Sequence, residues 1–197
     1  EVVDGDMIMA ILALDMKARG RLKNNTVVGT IMSNLGFIRF CEANDIRFSA
    51  TKVGDRYVLE EMLLEDYVFG GEQSGHIIFK DFATTGDGQL SAVQLLAHIH
   101  RSGKKLSELK TVMTKYPQLI VNIRTSDAAK LAFYTDDDVR AILDEGKEKL
   151  GNRGRLVVRP SGTEPLIRIM AEGEDEAFTE AIARQVAERI EEKLKVY

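Results

Sequence analysis

A chain of 197 residues buries about 70% of its extended surface on folding, enough for one large domain or two of about 100 residues each. Hydrophobic residues make up 44% and charged residues 29% of it, which excludes a disordered or fibrous protein. With 27 basic and 31 acidic side chains the net charge is -4, so no general attraction to nucleic acid or an anionic membrane follows. Any phosphate site must be built locally.

Cys41 is the only cysteine. It forms no intramolecular disulfide and no cysteine-rich zinc site, and reads as a small buried hydrophobe. No apolar run approaches the ~18 residues of a membrane span. The stretch Met7 to Leu14 follows Asp4-Gly5-Asp6 with no basic lead-in, unlike a signal peptide. A cytoplasmic setting is expected, with neither nucleic acid nor membrane as partner.

In chain order, Asp6 is placed to cap a helix through Met7, Ile8, Ile11, Leu12, Asp15 and Met16 that Gly20 closes. Thr26 to Met32 is rich in β-branched residues and predicts a buried strand. A helix around Phe37 to Asn44, a short strand near Phe48 to Thr51 and a helix over Glu60 to Glu65 follow. Tyr67-Val68-Phe69 and Ile77-Ile78-Phe79 predict two strands joined through Gly70, Gly71 and Gly75. Gly86-Asp87-Gly88 precedes a long helix with Leu90, Val93, Leu96, Ala97 and His100 on or near one face. Strands alternating with helices indicate a layered α/β domain with a mainly parallel sheet.

The polar segment Lys104 to Lys115 ends before Tyr116-Pro117, and the domain boundary is placed there, giving domains 1–115 and 116–197. The second domain reads strand (Leu119 to Arg124), helix (Asp136 to Leu150), strand (Arg155 to Val158), strand (Leu166 to Met170) and a final helix. That helix repeats Phe178, Ile182, Val186, Ile190 and Leu194, an apolar stripe that must pack on a sheet. A smaller α+β sheet-and-helix domain is expected.

Two loops carry candidate chemistry. In Arg159-Pro160-Ser161-Gly162-Thr163-Glu164-Pro165, Gly162 lets the backbone turn so that N–H groups converge on an anion. Ser161 and Thr163 add hydroxyls, and Arg159 and Arg168 add charge with geometry suited to phosphate. The same residues also suit a plain hairpin turn. In Gly70-Gly71-Glu72-Gln73-Ser74-Gly75-His76, Glu72 accepts hydroxyl hydrogen bonds, Ser74 donates or accepts one, and His76 moves a proton near neutral pH. A glycine-rich connection between strands is by itself also an ordinary turn.

Together these segments resemble the α-D-phosphohexomutases, over essentially the whole chain. The landmarks are Asp4-Gly5-Asp6, Ser33-Asn34-Leu35-Gly36, Val53-Gly54-Asp55-Arg56-Tyr57-Val58, Gly71 to His76, Thr84-Thr85-Gly86-Asp87-Gly88 and Arg159 to Pro165, in the family's order. They match the third and fourth of its four domains. Gln73 and Asp55-Arg56 resemble the glucosamine-handling branch more than the glucose or mannose branches, which stay as the alternative within the family. A non-catalytic sugar-phosphate binding module is the alternative outside it.

The resemblance implies phosphoryl transfer from a phosphoserine to a hexosamine phosphate through a 1,6-bisphosphate. It assigns Arg159, Ser161, Gly162, Thr163 and Arg168 to phosphate, Glu72 and Ser74 to sugar hydroxyls, and His76 to proton transfer near the reacting group. The family's Ser-His nucleophile and its Asp-rich magnesium loop have no match here. Magnesium is therefore expected only in the longer parent protein, with none bound by this chain. The expected partners are the hexosamine phosphate, its 1,6-bisphosphate, the N-terminal half of the same enzyme and, for the full enzyme, a second copy. Asp4-Gly5-Asp6 and Asp136-Asp137-Asp138 are expected to serve helix starts rather than metal. His98 and His100, about 200° apart on a helix, cannot share a metal.

Overall fold

A computed structural model describes residues 2–197. They divide into two compact units that meet between Lys115 and Tyr116.

In the first unit, helix α1 (Gly5–Ala18) precedes strand β1 (Thr26–Thr30), and helix α2 (Leu35–Ala43) leads to β2 (Arg47–Thr51). Helix α3 (Asp55–Leu64), the strands β3 (Phe69–Gly71) and β4 (Ile77–Phe79), helix α4 (Gly88–Ser102) and the short α5 (Leu106–Leu109) complete it. The sheet order is β2-β1-β3-β4. β1 runs parallel to β2 and β3, and β4 returns antiparallel to β3. All five residues of β1 are buried, as its β-branched sequence requires of a strand covered on both faces. On one face Met9, Leu12, Ala13 and Phe37 pack with Val27 and Phe69; on the other Val58 and Met62 pack with Val28 and Ile78. Cys41 is fully buried among the former set. Desolvation, with the Asp6 and Glu42 charges adding to it, pushes its thiol up to about 12, so it is no nucleophile.

The second unit contains β5 (Gln118–Arg124), α6 (Asp127–Thr135), α7 (Asp137–Leu150), β6 (Gly154–Pro160), β7 (Leu166–Gly173) and α8 (Glu176–Leu194). Its sheet is antiparallel, in the order β5-β7-β6. Ile167, Ile169 and Ala171 of β7 point to the core with Val139, Ile142, Ile182, Val186 and Ile190. The whole is thus an α/β unit with a mainly parallel sheet followed by a smaller sheet-and-helix unit.

Several local expectations need correction. Asp4, not Asp6, caps α1, its Oδ1 accepting from Met7 N at 3.1 Å. Asp6 is instead wholly buried, and its Oδ2 accepts from Asn34 N at 2.6 Å. Helix α3 begins at Asp55, five residues before the expected start. On α4 the side turned to the core carries Leu90 and Leu95, while Val93 and Leu96 are exposed. The supposed stripe crossed the helix boundary between core and solvent. His98 is partly buried, its Nδ1 3.0 Å from Asp15 Oδ1, while His100 is exposed. Helix α6 was missed altogether; Ser126 caps it by accepting from Ala129 N. Strands β6 and β7 each run past their expected ends, β7 through Gly173. The aspartate triplet does start a helix: Asp136 accepts from the N–H groups of Asp138 and Val139.

Helices α7 and α8 are also tied by charge. Glu145 takes hydrogen bonds from Lys149 at 2.7 Å and Arg189 at 2.5 Å, which hold its carboxyl down at about 2. A carboxyl whose folded value is depressed stabilises the fold above its unfolded value and loses that contribution as pH falls through the folded one. We expect Glu145→Gln to lower the melting temperature at neutral pH, with the gap to the parent closing between about pH 4 and pH 2. Thermal melts across that range check it; a gap independent of pH contradicts it.

Candidate functional site

The first loop closes the β3–β4 hairpin. Glu72 N donates to His76 O at 3.0 Å and Gly75 N to Glu72 O at 2.9 Å. Gly75 sits at φ +98, a conformation open to glycine but strained for other residues. The Glu72 carboxylate is half-buried, and its Oε1 accepts from the backbone N–H of Gly54 at 3.0 Å. Ser74 and His76 are exposed, with Ser74 Oγ 3.4 Å from His76 Nδ1. The loop therefore presents a carboxylate, a hydroxyl and an imidazole within five residues.

Two segments brace this loop from outside it. Gly5, the first residue of α1, donates its N–H to Gln73 O at 3.0 Å. A Cβ on Gly5 would lie 2.2 Å from Glu72 O and 2.8 Å from Gln73 O, so the contact exists only because no side chain intervenes. Gly86 lies against the imidazole, where a Cβ would come within 3.2 Å of His76 Cδ2. The next residue, Asp87, caps α4 by accepting from Gln89 N and Leu90 N, both at 2.9 Å. The Thr84 to Gly88 segment thus serves the histidine and the helix start together.

The second loop joins β6 to β7. Ser161 N donates to Leu166 O at 2.8 Å, and the Ser161 Oγ, nearly buried, accepts from Glu164 N at 3.2 Å. That leaves its hydroxyl proton free to donate outward. Gly162 and Thr163 are exposed. Gly162 does not use the conformational freedom expected of it, since its φ is outside the left-handed region; a Cβ there would meet open space. What its missing side chain leaves is room over the backbone.

Arg159 and Arg168 lie directly opposite each other across β6 and β7, and Asn122 lies opposite Arg168 on β5. Arg168 donates from Nε to Asn122 Oδ1 at 3.1 Å and from Nη2 to Glu164 Oε2 at 3.2 Å. Arg159 Nε is buried without a hydrogen-bond partner among the described residues. Two like charges directly opposite on a sheet repel each other, and a buried N–H without an acceptor costs free energy. An anion accepting from both guanidinium groups would offset the repulsion between them. Glu172, the one carboxylate of β7, belongs elsewhere, fully buried against Arg155 at 2.6 Å. Asn122 escaped the sequence analysis because only strand register reveals it, and Gly54 because its role lies in its backbone.

No group of three or more His, Cys, Asp or Glu side chains gathers to hold a metal among the described residues. The Asp4-Gly5-Asp6 carboxylates do not fit a magnesium ion: Asp4 serves Met7 N and Lys115 Nζ, and Asp6 serves Asn34 N. Both are turned to donors of their own.

Residues 4–116 match the family model "Phosphoglucomutase/phosphomannomutase, alpha/beta/alpha domain III", and residues 120–189 match the same family's C-terminal domain. The chain belongs to the phosphoglucomutase/phosphomannomutase family. It is 51% identical over 193 residues to the phosphoglucosamine mutase of Caldanaerobacter subterraneus subsp. tengcongensis, and 51% identical over 194 residues to that of Brevibacillus brevis. In each case the match covers 98% of this chain but 43% of the relative, so the chain spans less than half the length of these curated relatives. Among solved structures it is similar to Aspergillus fumigatus N-acetylphosphoglucosamine mutase. A form of that enzyme with glucose 1,6-bisphosphate aligns with TM-score 0.79 at 19% identity, covering 98% of this chain and 44% of that one. Another, with GlcNAc-6P and magnesium, aligns with TM-score 0.76 at 20% identity over 96% of this chain and 47% of that one. At such identities the likeness shows the shared fold. No helix among the described residues is long and apolar enough to cross a membrane.

The Gly5 contact gives a contrast of two substitutions in this family member. Glycine to alanine on a helix ordinarily gains up to about 1 kcal/mol. At Gly5 the new methyl group must displace loop backbone, so Gly5→Ala is expected to lose stability. Gly88 heads α4 with open space where its Cβ would be, so Gly88→Ala is expected to be neutral or stabilising. Urea denaturation midpoints decide; equal shifts at both positions would contradict the close approach.

Proposed function

We propose that this chain is the substrate-binding part of a phosphoglucosamine mutase, interconverting glucosamine 6-phosphate and glucosamine 1-phosphate in the cytoplasm. The observation that carries the reading is the pair of opposed arginines beside the Ser161 to Glu164 loop, with Arg159 Nε lacking an acceptor. Arg159, Arg168, the hydroxyls of Ser161 and Thr163 and the backbone at Gly162 bind the phosphate that is not being transferred. Glu72 and Ser74 bind sugar hydroxyls, and His76 passes a proton near the transferring group. A carboxylate repels phosphate, so by charge the loop carrying Glu72 suits the sugar and the loop carrying two arginines suits the phosphate.

In the proposed reaction a phosphoserine gives its phosphoryl group to the C1 hydroxyl of glucosamine 6-phosphate, and the hydroxyl proton leaves with a base. The glucosamine 1,6-bisphosphate turns over in the site. The serine then takes back the phosphoryl group from O6, which regains a proton, and glucosamine 1-phosphate leaves. In both orientations one phosphate stays on the arginine loop while the other reacts. The serine and its magnesium ion belong to the remainder of the parent protein, since the chain contains no Ser-His dipeptide and its own Asp-Gly-Asp does not fit the ion.

Two outcomes are expected. In the full-length parent, Arg168→Ala weakens glucosamine 6-phosphate binding by about one to two decades, since charge-assisted hydrogen bonds contribute about 1.5–3 kcal/mol, and Ser161→Ala weakens it less. Calorimetric titration with a thermal melt checks this; unchanged affinity, or unfolding by Arg168→Ala, would make the Glu164 pair a purely structural one. The 197-residue chain alone is expected to catalyse no magnesium-dependent conversion of glucosamine 6-phosphate. A coupled assay detecting turnover by the purified chain would overturn the division of labour.

A further inference from the structure

The backbone of Glu72 is fixed by the hairpin, and that of Gln73 beside it by the N–H of Gly5. The Glu72 side chain is held by something else: the N–H of Gly54, 3.0 Å from Oε1, at the start of α3. Oε2 takes no hydrogen bond from the described residues. Gly54 has φ +129 and ψ 131, a backbone conformation that only glycine adopts without strain. Space does not demand glycine here, because a Cβ would meet only Tyr57 ring atoms at 3.4 Å and beyond, an ordinary contact. The conformation does, and the conformation is what turns the N–H to the carboxylate.

The amide is itself anchored. Gly54 O accepts from Tyr57 N at 2.9 Å and Val58 N at 3.3 Å, starting α3. Val58 and Met62 of that helix are fully buried against Val28 and Ile78 of the sheet. A sheet-packed helix therefore holds one oxygen of Glu72 and leaves the other to the substrate.

We propose that the Gly54 backbone amide is a positioning group for Glu72, setting affinity for the sugar by fixing which carboxylate oxygen meets it. This rests on the assignment of Glu72 to the sugar made above. A carboxylate free to rotate would lose rotamer entropy on binding and offer either oxygen. One pinned by a charge-assisted hydrogen bond is already ordered.

The test is a double-mutant cycle in the full-length enzyme with glucosamine 6-phosphate as substrate. Glu72→Ala and Gly54→Ala are each expected to raise KM about tenfold or more, with a smaller change in kcat. Gly54→Ala is expected to add little once Glu72 is alanine. Equal KM effects of Gly54→Ala with and without Glu72, or no effect at all, would overturn the proposal while leaving Glu72 on the sugar. An unchanged KM for Glu72→Ala would overturn the sugar assignment and this proposal with it.

A substrate-free measurement covers failure of Gly54→Ala to fold. In the 197-residue chain, Glu72→Ala removes the acceptor and is expected to move the Gly54 amide proton resonance upfield and to speed its exchange with solvent. A Gly54 amide indifferent to the Glu72 substitution in both position and exchange would refute the contact whatever the substrate.

Discussion

The position of the Glu72 loop depends on a backbone contact with no room for a methyl group. Gly5 N meets Gln73 O, and Glu72 O stands where the Gly5 Cβ would be. That contact fixes where α1 must begin, and its neighbours secure the start. Asp4 caps the helix and reaches Lys115 with its other oxygen. Asp6 reaches across to Asn34 N, and Asn34 in turn caps α2 through Gly36 N at 2.9 Å. The Asp-Gly-Asp triplet is therefore a joint between two helix starts and a loop. A carboxylate committed to backbone N–H groups is a poor magnesium ligand, which is why a metal-like motif serves structure here.

The small sheet separates its two polar rows by function. On β7, Arg168 and Glu172 stand four residues apart on the face turned away from the helices, with Met170 between them. Glu172 is closed off: it lies opposite Gln118 and Arg155, bonded to both, and is fully buried. Breaking such a pair strands a buried charge at a cost of about 3–5 kcal/mol. Arg168 lies opposite another arginine and an asparagine, with the exposed Glu164 as its only carboxylate among the described residues. One row is electrically complete without a ligand, and the other carries surplus positive charge.

Much of this was legible in the sequence because the relevant signals are local. β1 reads as a buried strand from Val27, Val28 and Thr30, and the apolar stripe of α8 recurs every four residues. Both loops stand out through glycine and hydroxyl residues at strand ends. The misreadings arose where two candidates lay within one turn or one face. Asp4 and Asp6 are equally good caps by type, and only the packing of Gly5 on the loop chooses between them. On α4, Val93 and Leu96 fit an apolar stripe as well as Leu95 does, and tertiary packing selected the side with Leu90 and Leu95. Asn122 and the Gly54 amide were beyond reach because strand register and backbone direction leave no mark in residue type.

The strand order of the second unit has a consequence for synthesis. β7 is the central strand, and β5 bonds to nothing else in the sheet. A nascent chain therefore carries β5 with unpaired edges until some forty further residues have emerged, and α8, which packs on the sheet beside α7, comes later still. During that interval Leu119, Val121 and Ile123 are apolar strand residues without a partner, the kind of segment that pairs wrongly with other chains. Until α8 follows, the complete sheet lacks the stripe of Ile182, Val186 and Ile190 that packs on it, and the unit stays aggregation-prone with all three strands in place.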